Sequence, residues 1–350
     1  MSAGEPAESS AAKPSGASRP AGGDAARAPR RISEVGIQVA GIALLLVILL
    51  FVTWSRNPNI LGAYNLQTLS RDIAILSLFA MGQGIIILAG GIDLSVGSVV
   101  CFVGLNVIFF LAPEYGRSWP LALVLPMALA FGAGLGAIHG ILTCQLRLQP
   151  FMVTLCSLLI FRSIARGITG DYTVSFRGGD LPAFDFLGNG VLLGVPFPVW
   201  TLLVVASGLI FFLHGTVHGR YLFAIGYNLE AARFSGVRVH GLRVFTFALG
   251  GFLAALAGIL EASNIHSVSP STAGMAYELH GITAAVLGGC ALRGGQGSIL
   301  GIIIGAAILK VLQRMIVFLE LETHWTDAVI GMVLLSAVVL DSVVKRRKGY

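Results

Sequence analysis

The sequence predicts an all-α, polytopic integral membrane protein with about ten transmembrane helices, several of them broken at glycines. Three observations carry that prediction. Hydrophobic residues make up 55% of the chain and charged residues 11%, with a mean hydropathy of +0.85; a soluble domain carries about a quarter charged residues. The apolar residues recur as span-length runs along nearly the whole chain, without the period-2 alternation of a membrane barrel, and open sheets cannot satisfy their backbone in lipid. The 45 glycines fit the same class, because small residues let membrane helices approach closely and tolerate breaks covered by neighbours.

Residues 1–31 are rich in Ala, Gly, Ser and Pro and end in Arg27, Arg30 and Arg31. Nothing there can bury apolar surface, so a disordered tail is expected. The first apolar run, 35–54, is long enough to span and ends on Trp54, a residue suited to the interface. It starts too late, and lacks the small-residue cleavage site, for a secretory signal. Further spans are expected near 71–91, 96–112, 119–143, 151–168, 197–214, 244–264, 277–292, 298–318 and 325–344. The domain reading is therefore a tail (1–31), a transmembrane domain (32–344) with one long loop (215–243), and a basic end (345–350).

Charge placement tests the count. With the tail in the cytoplasm, ten crossings return Lys345, Arg346, Arg347 and Lys348 to the same side. The 215–243 loop falls there too, with Arg220, Arg233, Arg238 and Arg243. This agrees with the positive-inside rule, and an odd count would place one basic end outside. The net charge of +6 is spread over loops and termini, not gathered into the dense face of a nucleic-acid binder.

Three stretches carry the chemistry. In the first, Gly90-Gly91-Ile92-Asp93-Leu94-Ser95 separates two spans. A carboxylate beside a membrane break must be solvated or paired, so Asp93 and Ser95 are read either as caps of the next helix or as groups touching a solute. The second lies in the long loop. Asn228 can cap a short helix centred on Glu230-Ala231-Ala232-Arg233 that Gly236 ends. Such a helix either lies on lipid headgroups or docks into a cytoplasmic partner. The third runs from Tyr277-Glu278 through Gly288-Gly289 to Gly294-Gly295 and implies a break at the cytoplasmic end of a span. It echoes the first, and paired breaks mark transport paths in many carriers.

ILAGGIDLSVGS (87–98), GRYLFAIGYNLEAARFSGV (219–237) and YELHGITAAVLGGCALRGGQG (277–297) together resemble the membrane permease subunits of bacterial ribose-type sugar ABC importers, from about residue 57 onward. The resemblance implies a homodimeric inner-membrane permease with a cytoplasmic ATPase subunit and an extracytoplasmic solute-binding protein as partners. It implies import of a ribose-like monosaccharide without catalysis by this chain and without a cofactor. It makes Gly226, Asn228, Glu230, Ala231, Ala232, Arg233 and Gly236 the coupling element, matching the EAA-x-x-x-G pattern of ABC permeases. The solute pathway is expected along Gly90, Gly91, Asp93 and Ser95, with Asn106 on the third span and Lys310, Gln313 and Arg314 on the ninth.

Three departures from the family stand out. Ala276 stands where Gly is usual, Cys290 where Thr is common, and Lys310 and Arg314 where relatives tend to carry Asn. Two cations one helical turn apart in a membrane either snorkel to an interface or face an anion, which opens the alternative of an acidic sugar. Nucleoside and branched-chain amino-acid permeases are near alternatives. An ion-coupled carrier is disfavoured because Asp72, Asp93, Glu261, Glu278 and Asp327 are read at span ends or breaks. A scaffold has no need of glycine breaks. None of the lysines (Lys13, Lys310, Lys345, Lys348) completes a phosphate-binding loop, so ATP hydrolysis is assigned to another chain. Cys101, Cys144, Cys156 and Cys290 are read as apolar packing residues, and His214 with His218 lacks a third metal ligand.

Overall fold

The computed structural model describes residues 30–176 and 181–318, and beyond them 325–326, 328–332, 335 and 339. Of the tail expected over residues 1–31, residues 1–29 lie outside the described residues, as do most of the tenth span at 325–344 and the basic end; Arg30 and Arg31 belong to the first helix instead.

The other nine expected spans all correspond to helices. These are α1 (Arg30–Arg56), α2 (Ala63–Leu88), α3 (Val96–Leu111), α4 (Leu121–Gln145), α5 (Pro150–Thr169), α7 (Phe197–Ile210, continued by a widened π turn to Gly215), α10 (Val239–Ile265), α11 (Tyr277–Leu287) and α12 (Ile299–Phe318). Between them lie α6 (Pro182–Asn189), α8 (Val217–Tyr227) and α9 (Leu229–Phe234). Seven of the described helices are long and apolar enough to cross a bilayer; α3 and α11 are not among them. At 1.5 Å per residue, α3 reaches about 24 Å and α11 about 16 Å, short of the ~30 Å hydrocarbon core.

The sequence reading is corrected at the eighth span. Its 277–292 run is a half-helix, α11, preceded by an irregular segment 269–276 that the sequence reading placed outside the membrane. Four two-residue strands were also unforeseen: β1 (Val174–Ser175) pairs with β4 (Ser267–Val268), and β2 (Val191–Leu192) with β3 (Val195–Pro196). Pairs this short show no alternation to read.

α2 is the central helix, almost wholly buried from Ala74 to Leu88, and packs against α10, α11, α12 and α7. α10 lies antiparallel to α4 at very close range. Gly132, Gly136 and Gly140 recur every fourth residue on α4, and a Cβ at any of them would collide with Gly251, Phe247 or Val244 backbone on α10. Small residues on one stripe convert an apolar helix pair into a fixed one, since lipid supplies no hydrophobic drive between spans. α1, α4, α5 and α7 form the periphery and leave large apolar side chains such as Phe51, Leu159 and Val204 exposed.

Candidate functional site

The three motif stretches, up to 200 residues apart in sequence, converge at one end of the bundle, the end that carries α9. α2 stops at Leu88, and the chain turns at Gly90 (φ +75°) into an extended re-entrant segment that climbs back to the start of α3. The Leu88 carbonyl accepts Gly295 N–H at 3.0 Å. Gly226, at the end of α8, is wedged into the same place; a Cβ there would overlap both Leu88 O and Gly295 N. Gly294 in turn lies so near Gly226 and Gly90 that its own Cβ would sit 2.9 Å from Gly226 O and 3.1 Å from Gly90 N. This backbone knot is the physical reason for the echo between the two glycine-rich breaks: each brings its chain within backbone contact of α8.

The short helix α9 projects from that knot. The Asn228 side chain accepts Ala231 N–H at 2.9 Å at its start. At its end Gly236 (φ +81°) donates to Arg233 O and Val237 to Ala232 O, the paired bonds of a Schellman stop. Ala232 is buried beneath it, while Glu230, Ala231 and Arg233 are exposed, as are Tyr227 at 75% and Phe234 at 87%. Capped at both ends, a six-residue helix too short to persist alone holds a charged pair and the Phe234 ring out from the bundle, beside Tyr227 at the end of α8.

At the re-entrant segment, Asp93 is 2% exposed. Its Oδ1 accepts Ser95 N–H (2.8 Å) and Ser95 Oγ–H (2.6 Å), and Ser98 Oγ–H donates to Ser95 O. Thr154 of α5 accepts Leu94 N–H at 3.0 Å, and Gln83 of α2 donates to Asp93 O. Ser95 stands at the N-cap of α3 but its side chain caps no N–H of the first turn; its hydroxyl is turned back onto Asp93, which holds the turn before the helix, and both side chains are shielded. Gly97 at the start of α3 meets Gly274 backbone to backbone, with the Glu278 carboxylate 2.6 Å from where a Gly97 Cβ would stand. Two half-helices, α3 and α11, therefore start side by side within the bundle. Arg162 of α5 pins the irregular segment before α11 by donating to the carbonyls of Pro270 (3.0 Å) and Ala273.

The cations on α12 sit elsewhere. Arg314 pairs with Asp72 of α2 at 2.9 Å. Lys310, one turn away, lies within electrostatic reach of Asp72 and of Glu261 on α10. Glu261 accepts the Tyr277 hydroxyl, and the Tyr277 ring stacks on Phe79 at 5.0 Å. Arg314 is thus paired with a carboxylate within the protein, a third arrangement beside snorkelling and an anionic solute. The sequence reading missed it because it began the second span at 71. The helix begins at Ala63, eight residues earlier, which carries Asp72 about 13–14 Å into the helix. Asp72 lies well inside α2, which corrects the end-of-span reading at that position, while Glu261 lies near the end of α10 as expected.

Of the expected pathway residues, Gly90, Gly91, Asp93 and Ser95 thus lie together on the re-entrant segment. Lys310, Gln313 and Arg314 lie on α12, with Gln313 half-buried beside the Arg314–Asp72 pair. Asn106 joins neither group through its amide, which donates to Phe102 O of its own helix at 2.7 Å. Cys290, where the family tends to carry Thr, is buried against Gly84 and Gly297. Among the described residues no group of three His, Cys, Asp or Glu side chains gathers.

A bundle with two half-helices meeting inside it and a capped helix held out at one end has the architecture of a membrane permease. The chain belongs to the family described as "Branched-chain amino acid transport system / permease component", whose profile matches residues 65–338. It is 37% identical over 302 residues to the ribose import permease protein RbsC of Escherichia coli (strain K12), covering 85% of this chain and 92% of that protein. It is 34% identical over 306 residues to the ribose import permease protein of Haemophilus influenzae, covering 87% and 93%. To the xylose transport system permease protein XylH of E. coli (strain K12) it is 33% identical over 364 residues, covering 87% and 92%. No solved structure matches the chain.

Proposed function

We propose that this chain is the membrane permease subunit of an ATP-binding-cassette importer that carries a monosaccharide into the cytoplasm. The observation that carries this is its 33–37% identity, over 85% or more of its length, to permeases named for ribose and xylose. These names favour the sugar reading over nucleosides, amino acids and acidic sugars, and the pairing of Arg314 with Asp72 supports a neutral solute. The chain works with an ATPase subunit and a solute-binding protein, as permeases of such importers do. We assign α9, with Gly226, Asn228, Glu230, Ala231, Ala232, Arg233 and Gly236, to docking the ATPase, which puts the 215–243 loop and both termini in the cytoplasm. A second copy of the chain completes the transporter in the lipid bilayer, and ATP is hydrolysed on the separate subunit.

The coupling route in this proposal is short. A push on α9 reaches Gly226, and through it the end of α2 at Leu88 and the turn at Gly294–Gly295 before α12. Both re-entrant half-helices move with those two points. The solute path then runs by Gly90, Gly91, Asp93 and Ser95, past Asn106 on α3, and by Lys310, Gln313 and Arg314 on α12. The bistable element is the pair of half-helices, biased by what binds at α9.

The test is uptake into proteoliposomes containing this chain with its ATPase and binding protein, across pentoses, hexoses, sugar acids and nucleosides. The expected result is uptake of a neutral monosaccharide that requires both ATP and the binding protein. Uptake that persists without ATP would replace the proposal with an ion-coupled carrier. Uptake of sugar acids alone would make the α12 cations the selectivity element.

A further inference from the structure

At the end of the bundle away from α9, a cavity of about 500 Å³ opens beside the first turns of α2, a volume within the usual range of small-molecule sites. Arg71 forms its floor. Its Nη1 donates to both Asn189 Oδ1 at the end of α6 and Asn264 Oδ1 near the end of α10 (2.8 Å), so two neutral amides from two other elements hold one arm of the guanidinium. Arg71 Nε is shielded from solvent and has no partner. Gln67, one turn up α2, has its amide N–H₂ held by Gly194 O at 3.3 Å, which leaves its Oε1 as an acceptor. Tyr64, one turn further, adds an exposed ring and hydroxyl, and Val191 adds apolar wall.

The geometry points to a subsite for a neutral monosaccharide in this cavity. The inference deepens the proposed function and rests on it. A sugar hydroxyl both donates and accepts, and this wall offers donors (Arg71) and acceptors (Gln67 Oε1, Tyr64 Oη) at once. A carboxylate accepts only and would leave those acceptors unmatched. The Tyr64 ring and Val191 offer apolar surface to the sugar's C–H face, while Gln67, Thr68, Arg71, Asn189 and Asn264 make the rest of the lining polar, as a hydroxyl-rich ligand needs. The guanidinium is already held in place before any ligand arrives, which lowers the entropy lost on binding. In the orientation proposed above, the cavity faces the side on which the binding protein releases its cargo. Neither motif stretch nor span boundary pointed here, because the wall is drawn from α2, α6, the β2–β3 hairpin and α10.

The experiment uses the complete transporter in proteoliposomes, with D-ribose and 2-deoxy-D-ribose each saturating the binding protein. Arg71→Lys keeps the charge and removes the fork; Asn264→Leu removes one of its supports. Each is expected to lower ribose uptake by about tenfold, the worth of one charge-assisted hydrogen bond, and to lower 2-deoxyribose uptake less. Unchanged ribose uptake would overturn the inference. So would an equal fall for both sugars, which would mark the cavity as a docking surface for the binding protein. In parallel, Val191→Cys in otherwise unaltered protein reports occupancy directly. Ribose should slow its alkylation by a membrane-impermeant maleimide, and an unchanged rate overturns the subsite even where the Arg71 variant fails to insert. A parent transporter that imports no monosaccharide at all removes the functional reading beneath it, and that is seen before any variant is made.

Discussion

The two interior junctions of the bundle are built from opposite materials. At the α9 end, Leu88, Gly90, Gly226, Gly294 and Gly295 meet backbone to backbone, with no side chain between them. In the opposite half, α2, α10, α11 and α12 meet through charged and aromatic side chains: Asp72 with Arg314, Lys310 near Asp72 and Glu261, and Glu261 with Tyr277. A junction of backbone has no rotamers to absorb displacement, so it passes motion on. A junction of long side chains can re-pair as helices slide, and it tolerates movement while keeping its charges matched. The first suits a lever and the second a bearing.

The largest effect is expected from breaking the bearing. Arg314→Ala leaves the half-buried Asp72 without its ion-pair partner, a loss on the scale of one hydrogen bond between charged groups, about 1.5–3 kcal/mol. Thermal unfolding in detergent should show a large fall in Tm for the single variant, with much of it recovered in Asp72→Asn/Arg314→Gln. A single variant as stable as the parent would mean that the pair carries no weight. Next comes the lever. Gly226→Ala drives a Cβ into Leu88 O and Gly295 N, and overpacking of this kind costs about 1–3 kcal/mol. The sharper readout is function: uptake per ATP hydrolysed should fall more than Tm does. If Gly226→Ala loses stability and coupling in equal measure to Arg314→Ala, the contrast between the two junctions is wrong.

Glu230→Ala probes the same lever from its outer end. Glu230 is exposed in the first turn of α9. Its loss should leave Tm close to the parent's and lower coupled uptake by about tenfold, the scale of one charge-assisted hydrogen bond to a partner. Normal coupled uptake in that variant would remove α9 from the docking role.

How much of this was legible in the sequence follows the same division. The lever was spelled locally: Asn228 and Gly236 announce a capped helix, and Gly90 and Gly294–Gly295 announce turns, because each requirement is met within a few residues. What the sequence could not say was that the three stretches touch. The bearing was missed entirely, since pairing Asp72 with Arg314 depends on the depth register of two helices 242 residues apart. An eight-residue error in where α2 starts was enough to hide it. The cavity at Arg71 was missed for the same reason, its wall being drawn from four separate elements. The break before α11 had a faint signal in Pro270 and Gly274, overlooked because apolar residues resume at once beyond it.

Ala276 offers the smallest and cleanest test. It forms the N-cap of α11 at φ +62°, ψ +11°, in the left-handed region, and the family resemblance puts Gly at this position. A Cβ in that region is strained by roughly 1–2 kcal/mol, while glycine restores about 0.4–1 kcal/mol of unfolded-state freedom that folding must remove. Ala276→Gly should therefore raise stability only slightly, by about 0.5–1 kcal/mol, read as a small rise in Tm. Uptake tests the more interesting half. Ala276 sits next to Gly274, which meets Gly97 at the start of α3, so strain stored here bears on how readily the two half-helices part. A more stable variant with slower turnover would mean that the strain favours opening. A more stable variant with unchanged turnover would make Ala276 a tolerated imperfection and leave the lever at Gly226 as the element that sets the rate.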